Sequence, residues 1–589
     1  MNRRWWIAFL TLSLPAALPL GAQSFIRVNQ LGYLPRDAKI ALAFGSATPA
    51  DSFAVRDAAS GVELWRGPTR PAPGSSWGTW TNFAELDFSG FDKPGRYVLR
   101  LAEAQSPPFT IAGGLYAPLP DELLEFMREQ RCGYNPFLDQ TCHSLDGRTA
   151  GGPLPAGTRL DCTGGWHDAG DLLKYLLTSG NATAQMLLAW RLAAAPGVFH
   201  DAVQADGRPG TNGLPDLLDE ARWGLEWMLK LHPTPDALYH QVADDRDHCG
   251  WRLPKDDYAD YGWGRGSNRV VYYATGQPQG LKEYKSESTG IANLAGRYAA
   301  AMALGGMIFK DRDRPFAEKC LRAGMEVYRL GRTHEGVQQG NSYSAPYRYA
   351  ETTWTDDMEW GAAALFAATR DAGYLADAQH YALLAGSESW MGREQTGHYQ
   401  YYPFINPGHF MLYEFADGAL RRSLAGYYRE GIERCLAVAG KNPYRIGVPF
   451  IWCSNNLLAA LVTQCLLYER MTGDQRYHEF MCLQRDWLLG RNPWGTSMFT
   501  GIPADGVFPR HPHLMTTLLT GRPVRGGLVD GPVYERIFKT LKGISAPADD
   551  PFAPFQSEQA VYHDDLGDYS SNEPTMDGTA SAILMWALF

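Results

Sequence analysis

A chain of 589 residues is long enough for more than one domain. With 45% hydrophobic and 20% charged residues it has a globular composition, and a net charge of −10 without basic clusters argues against nucleic acid and anionic membrane as partners. Aromatic residues reach 12%, with 18 Trp and 30 Tyr, a surplus suited to a large core or to a groove that stacks on sugar faces or peptides.

The first segment, MNRRWWIAFLTLSLPAALPLGAQ (residues 1–23), has two arginines, a short apolar stretch and small residues at its end. This is the pattern of a secretory signal peptide. The stretch is short for a span, and no cysteine near its end offers a lipid attachment point. The expectation is an exported chain, periplasmic or extracellular, whose charge becomes −12 once Arg3 and Arg4 are removed from the −10 total.

Residues 24–112 read as a small β domain. FIRVNQLGYL, KIALAF, SFAVRDA, ELDFSGF, GRYVLRLA and PPFTIA are short strand-like runs separated by PRD, SATPAD, AASG and DKPG. Several short strands without a helical pattern predict a sandwich. Gly74-Ser75-Ser76-Trp77-Gly78 fits G-x-S-x-G, but prolines precede it and TWTNF follows, so it is expected to be a loop.

Residues 113–589 turn to helical patterns. In LPDLLDEARWGLEWMLKL, Leu214, Leu217, Leu218, Ala221, Leu225, Met228 and Leu229 share one face. Similar runs follow Asp171, Thr289, Pro315, Asp356, Leu375, Ala419, Asn455, Gln475 and Thr575. Between them, 237–285 and 389–416 read as long aromatic loops, a length that points to function. Nine cysteines, none in the first 131 residues, cannot all pair internally. Cys435, Cys453, Cys465 and Cys482 lie in apolar helical contexts and are expected as buried thiols, whereas Cys132, Cys142 and Cys162 crowd near His143 and His167.

GGWHDAGDLLKYL (164–176) sets Asp168 and Asp171 among glycines, ahead of an apolar run. Asp171 reads as a helix N-cap, and the two acids also read as a pair handling water. Glycosidic hydrolysis needs a second carboxyl to protonate the leaving oxygen. DDLGDYSSNEPTMDGTAS offers Asp568, Glu573 and Asp577; Pro574 biases Glu573 to extended backbone, in a loop just before the last helix. Glu573 also reads as a first-turn acid favoured by the helix dipole.

GGWHDAGD and DYSSNE together resemble glycoside hydrolase family nine, the cellulase family with an (α/α)6 barrel. IRVNQLGYLP resembles the start of the immunoglobulin-like domain that precedes the barrel in one branch. GLPDLLDEARWGLEWM, YRYAETTWTDDMEWGAAAL, WCSNN and LLGRNPWGTSMFTG resemble further family segments in the expected order, across nearly the whole mature chain. The resemblance implies a β-sandwich followed by an all-α barrel, and inversion at the anomeric carbon. It implies Asp171 as general base, Asp168 as the acid that shares and positions the water, and Glu573 as general acid. Many members carry Pro-His-His-Arg after the T-G segment; here FPRHPHLMTTLL has Pro512-His513 followed by Leu514 and Met515. His513 is thus a candidate subsite residue without the arginine. That departure favours a decorated β-glucan such as xyloglucan, or a mixed-linkage glucan, over plain cellulose. Trp354, Trp452 and Tyr569 are the stacking candidates, each also readable as core packing.

The resemblance also implies a structural zinc near the start of the barrel. QRCG and TCHS supply Cys132, Cys142 and His143, and His167 is the natural fourth ligand, with Cys162 as the alternative. A Cys132–Cys142 disulfide is the competing reading in an oxidising compartment. Calcium occurs in the family, with no ligands assignable here. The leading expectation is a secreted endo-β-1,4-glucanase, monomeric, acting on a polysaccharide or oligosaccharide. An exo-acting glucosidase or glucosaminidase of the same family, and a non-catalytic glycan binder, are the alternatives; a binder has no need of the three acids.

Overall fold

The computed structural model describes residues 23–589, apart from 195–198, 267, 346–347 and 545. The expected signal peptide therefore lies almost wholly outside the described residues. Among them, no helix is long and apolar enough to cross a membrane.

The N-terminal strands are β1 (Ser24–Arg27), β2 (Gly32–Tyr33), β3 (Ile40–Gly45), β4 (Ser52–Asp57), β5 (Glu63–Pro68), β6 (Arg70–Pro71), β7 (Asn82–Asp87), β8 (Gly95–Leu101), β9 (Ala104–Gln105) and β10 (Phe109–Ile111). They form two sheets, ordered β1-β3-β7-β6 and β2-β10-β8-β4-β5, with β9 beside β8. The facing sides close over Val28, Phe53, Val55, Leu86, Phe88, Leu99 and Phe109. This is an immunoglobulin-like sandwich. The expected runs all become strands, and GSSWG is a loop whose Trp77 pairs with Trp80. The exposed edge strand β5 was not anticipated, because Arg, Gly and Pro break its apolar alternation.

The sandwich is joined to the rest through buried contacts. Arg485 pairs with Asp37 at 2.7 Å. Asn29 donates to Asp486 at 2.8 Å, and Arg491 to the carbonyl of Ile40 at 2.6 Å. Leu42, Phe44 and Trp77 belong to the large core of the helical part.

That part contains α1 (Leu119–Glu129), α2 (Leu176–Leu192), α3 (Asp216–Lys230), α4 (Ala292–Phe309), α5 (Arg314–Thr333), α6 (Thr355–Thr369), α7 (Ala372–Ala385), α8 (Pro407–Tyr413), α9 (Gly418–Ala439), α10 (Ser454–Thr472), α11 (His478–Leu488), α12 (Met515–Thr520), α13 (Glu535–Phe538) and α14 (Met576–Ala587). Helices α2, α4, α6, α8, α10 and α14 each pack on the next, and α14 returns to α2, so an inner ring closes. Helices α1, α3, α5, α7, α9 and α11 pack outside it. The result is an (α/α)6 barrel.

The two rings differ as burial dictates. Outer α3 and α5 are amphipathic, with Leu217, Leu218, Ala221, Leu225 and Met228 inward. Leu214 and Leu229 are only partly buried against the core. Inner α2 is buried continuously from Leu176 to Ala189, and α14 along its whole length. Close approach of α4 and α6 needs glycine: a Cβ on Gly296 would lie 2.3 Å from the Asp357 carbonyl carbon and oxygen.

Both long loops carry structure. Within 237–285, β15 (Tyr239–Val242) and β16 (Val270–Tyr273) join a sheet. Two short strands precede them in the chain as a hairpin, β11 (Tyr134–Asn135) and β12 (Gln140–Thr141), followed by β13 (Arg148–Thr149) and β14 (Lys174–Tyr175), which flank the sheet in the order β13-β16-β15-β14. Within 389–416 lies the inner helix α8. The strand β14 also corrects the N-cap expectation. Asp171 does not start α2, whose N-cap is Tyr175. Instead its Oδ1 accepts from the amide of Leu173 at 2.9 Å, closing a tight turn before β14.

Candidate active site

The segments that precede the inner helices meet at one end of the barrel, where the helix N-termini point. Asp168 and Asp171 precede α2, Tyr349 and Trp354 precede α6, and His398 and Tyr399 precede α8. Trp452 and Cys453 precede α10, and Glu573 precedes α14.

Asp168 is held by backbone first. Its amide donates to Leu173, and its carbonyl accepts from Met576 in the first turn of α14, both at 2.9 Å. Its buried carboxylate accepts from Thr178 Oγ1 at 2.5 Å and from the Tyr349 hydroxyl. Burial, then the like charges of Asp171 and Asp577, push it well above the usual carboxylate range, against those hydrogen bonds. Asp171 keeps 8% exposure, with Oδ2 turned toward His248 Nε2 at 3.9 Å.

Glu573 reaches the same place from the far end of the chain. Its Oε1 accepts from the Gly170 amide at 2.9 Å, a contact between residues 403 apart in sequence. Upstream, Asp568 folds the DYSSN turn by accepting from the amides and hydroxyls of Ser570 and Ser571 and from His563. Burial would raise Asp568, but these donors hold it below the usual range. For Glu573 the balance is opposite. Burial, then Asp530 and Asp171, hold its proton on well above the usual carboxylate range, and the Gly170 amide opposes only in part.

The walls beside the acids are aromatic. His513 donates from Nδ1 to the Leu566 carbonyl at 2.6 Å, which turns Nε2 to within 4.0 Å of Glu573 Oε1. Its ring lies 4.6 Å from Trp251, which is 40% exposed, and 6.0 Å from Tyr569. Tyr569 and Trp452 lie nearly parallel, 17° apart at 6.1 Å. His513, Tyr569 and Trp452 thus come together beside Glu573. Trp354 does not join them; its ring packs on Tyr381 of α7 at 5.9 Å. Leu514 packs inward against Phe126 and Val524, and Met515 Sδ accepts from the Arg252 amide; both side chains are buried.

Several neighbours were not singled out in the sequence. Tyr349 stacks on Tyr399 at 4.2 Å, and Tyr399 donates to Asp577 at 2.5 Å. His248 and Trp251 come from the 237–285 segment, whose length was the only signal for them. Asp530 has no sequence signal beyond a polar residue before Gly531.

Cys132, Cys142, His143 and His167 form a buried group whose ligand atoms all lie within 4.8 Å of one another. Cys132 Sγ to His143 Nδ1 is 3.6 Å, His143 Nδ1 to His167 Nε2 is 3.4 Å, and Cys142 Sγ to His167 Nε2 is 4.0 Å. A tetrahedral zinc with ordinary bond lengths has edges of about 3.4–3.8 Å, so the donor set fits that ion. The outer nitrogen of His143 lies 3.2 Å from Asp257, the carboxylate–histidine arrangement that orients a metal-bound imidazole. The structure contains no Cys132–Cys142 disulfide, the competing reading; all nine cysteines are unbridged. Cys162 lies outside the group; the carbonyl of its residue accepts from Lys174 and Trp227. His167 immediately precedes Asp168, so the group lies directly beside the loop that carries both acids.

Residues 116–588 match the family model described as glycosyl hydrolase family 9, and residues 22–106 match the cellulase N-terminal ig-like domain. A xyloglucan-specific endo-β-1,4-glucanase from Bacteroides ovatus is 26% identical over 95% of this chain and 92% of its own length. Endoglucanase C from Cellulomonas fimi is 26% identical over 95% of this chain and 51% of its own. Among solved structures, a metagenome-derived glycoside hydrolase family 9 endoglucanase superposes with a TM-score of 0.76 at 27% identity, covering 96% of this chain and 98% of that one.

Proposed function

The chain belongs to glycosyl hydrolase family 9, and we propose that it is a secreted, inverting endo-β-1,4-glucanase with Glu573 as acid, Asp171 as base and Asp168 as the second water-binding acid. The observation that carries this reading is the Glu573 carboxyl on the Gly170 amide, inside the DAGD loop. Glu573 gives its proton to the glycosidic oxygen as the C1–O bond breaks. A water held by Asp168 and Asp171 attacks C1 from the opposite face and loses a proton to Asp171. Single displacement of this kind needs the acid and base about 6.5–9.5 Å apart. An acid kept protonated by desolvation and like charge, beside a carboxylate with one oxygen bound by the Leu173 amide, suits that division of labour.

His513, Trp452, Tyr569 and Trp251 supply the sugar-binding wall. The substrate we favour is a decorated β-glucan, xyloglucan first. The inward Leu514 and Met515, and the likeness to the Bacteroides ovatus enzyme, support that choice. The Cys132, Cys142, His143 and His167 group holds a structural zinc in this reading, outside the chemistry. Residues 1–23 act as a cleaved export signal, 24–112 as the immunoglobulin-like domain and 113–589 as the catalytic barrel, working as a monomer.

The test is sugar release from xyloglucan, mixed-linkage β-glucan, carboxymethylcellulose and chitosan oligomers, with Glu573→Gln as control. Rapid loss of viscosity with oligomeric products, absent in the control, is expected from a β-glucan. Release of a single short product without viscosity loss would favour the exo-acting reading. Binding without release would favour a glycan-binding protein.

A further inference from the structure

Asp530 is a buried carboxyl that the mechanism above does not use, and it lies against the acid. Val529 and Pro574 form an antiparallel bridge. The Asp530 amide donates to the Glu573 carbonyl at 2.8 Å, which fixes the two residues side by side. The Asp530 side chain is 4% exposed and accepts from the Cys453 thiol at 3.3 Å. Among the described residues no lysine or arginine pairs with Asp530 or Glu573.

Cys453 is itself unusual. It has φ of 59°, a left-handed conformation that costs a non-glycine residue energy and that clusters at functional positions. That backbone, at the N-cap of α10, sets its sulfur between Asp530 and His398 Nε2, which is 3.7 Å away.

We propose that Asp530, held by the Cys453 thiol, is a positioning residue that keeps Glu573 in its proton-donating form. This rests on Glu573 being the acid. A buried carboxyl whose side chain accepts from a thiol, a weak donor, disfavours ionisation of the carboxyl beside it. Burial and the charge of Asp577 and Asp568 raise Asp530, and Asp530 is the foremost charged neighbour raising Glu573. The other groups facing Glu573 are Asp168 and Asp171 from the loop before α2, His513 from the wall, and Tyr569 on its own segment. All but His513 carry negative charge or none, and Asp530 is the one of them with no place in water activation or sugar contact.

The experiment is the pH profile of kcat/KM on a soluble β-glucan for the wild type, Asp530→Asn, Cys453→Ala and Cys453→Ser, with Glu573→Gln as reference. Asp530→Asn keeps shape and removes charge. Its alkaline limb is expected to move down by about one pH unit, with activity below that limb near the wild-type value. Cys453→Ala deprives Asp530 of its donor, favours its neutral form, and moves the limb the same way. Cys453→Ser keeps a donor and leaves the limb in place. If Asp530→Asn does not fold, the two Cys453 variants decide. An alkaline limb unmoved in Asp530→Asn and Cys453→Ala, with Glu573→Gln inactive, overturns the role of Asp530 alone. An active Glu573→Gln overturns the acid assignment, and this inference with it.

Discussion

Gly170 lies between the two aspartates, and replacing it with alanine probes the site most sharply. An added Cβ would lie 2.6 Å from Glu573 Oε1, 2.8 Å from the His513 carbonyl oxygen and 3.0 Å from His513 Cδ2. The carboxylate is the end of a side chain and can swing away; the His513 carbonyl is backbone and cannot. Ordinary contact begins near 3.4 Å, so Glu573 must retreat by about 0.8 Å and loosen its 2.9 Å bond to the Gly170 amide. A misplacement of about 1 Å in a positioned group costs on the order of 100-fold in rate. That corresponds to about 2.7 kcal/mol of transition-state stabilisation. The assay is kcat and KM on the best β-glucan, together with the melting temperature. The expected result is a kcat lowered about 100-fold with KM little changed, and a melting temperature lowered because the backbone must shift away from the His513 carbonyl. A Gly170→Ala protein with wild-type kcat would refute the claim that the Glu573–Gly170 contact positions the acid.

Other consequences are open to test. Tyr349→Phe removes the hydroxyl donor to Asp168; kcat should fall about tenfold, the equivalent of one hydrogen bond of about 1.4 kcal/mol, with KM nearly constant in steady-state assays. Removing metal with a chelator, or substituting Cys132→Ser, should lower the melting temperature by several degrees and reduce activity in parallel, with one zinc per chain found by elemental analysis of the untreated protein. Glu129 is buried, and burial raises its carboxyl to about 7 against only a Thr516 hydrogen bond. Because its folded value is raised, the stability it contributes is present at acid pH and is lost as pH rises through about 7. Glu129→Gln should therefore match the wild type in chemical denaturation at pH 5 and exceed it at pH 8, by at most about 3 kcal/mol.

How much could be read from the sequence depends on where each signal resides. The outer helix α3 was legible because one face meets water and leaves a periodic pattern. The inner helix α8 was not, because it is short, opens with Pro407-Gly408 and sits inside an aromatic stretch. Asp171 was legible as a turn-forming acid but misplaced as a helix cap, since β14 inserts between it and α2. Cys132, Cys142, His143 and His167 were expected together from the family resemblance, and the structure brings the four side chains into one buried group. Tyr349, Trp251 and Asp530 were not readable, because only closure of the ring brings them to the acids. Trp354 shows the reverse case, an aromatic in a well-matched segment whose ring contact lies on the outer helix α7.

The central claim is single displacement by Glu573 and Asp171, and the product anomer tests it most directly. Proton NMR of fresh hydrolysate from the preferred β-glucan, followed from the first minutes, separates the α and β reducing ends before they equilibrate. The account predicts that the α anomer appears first, and that Glu573→Gln gives none. First appearance of the β anomer would mean a covalent double displacement and would contradict the roles assigned to both acids.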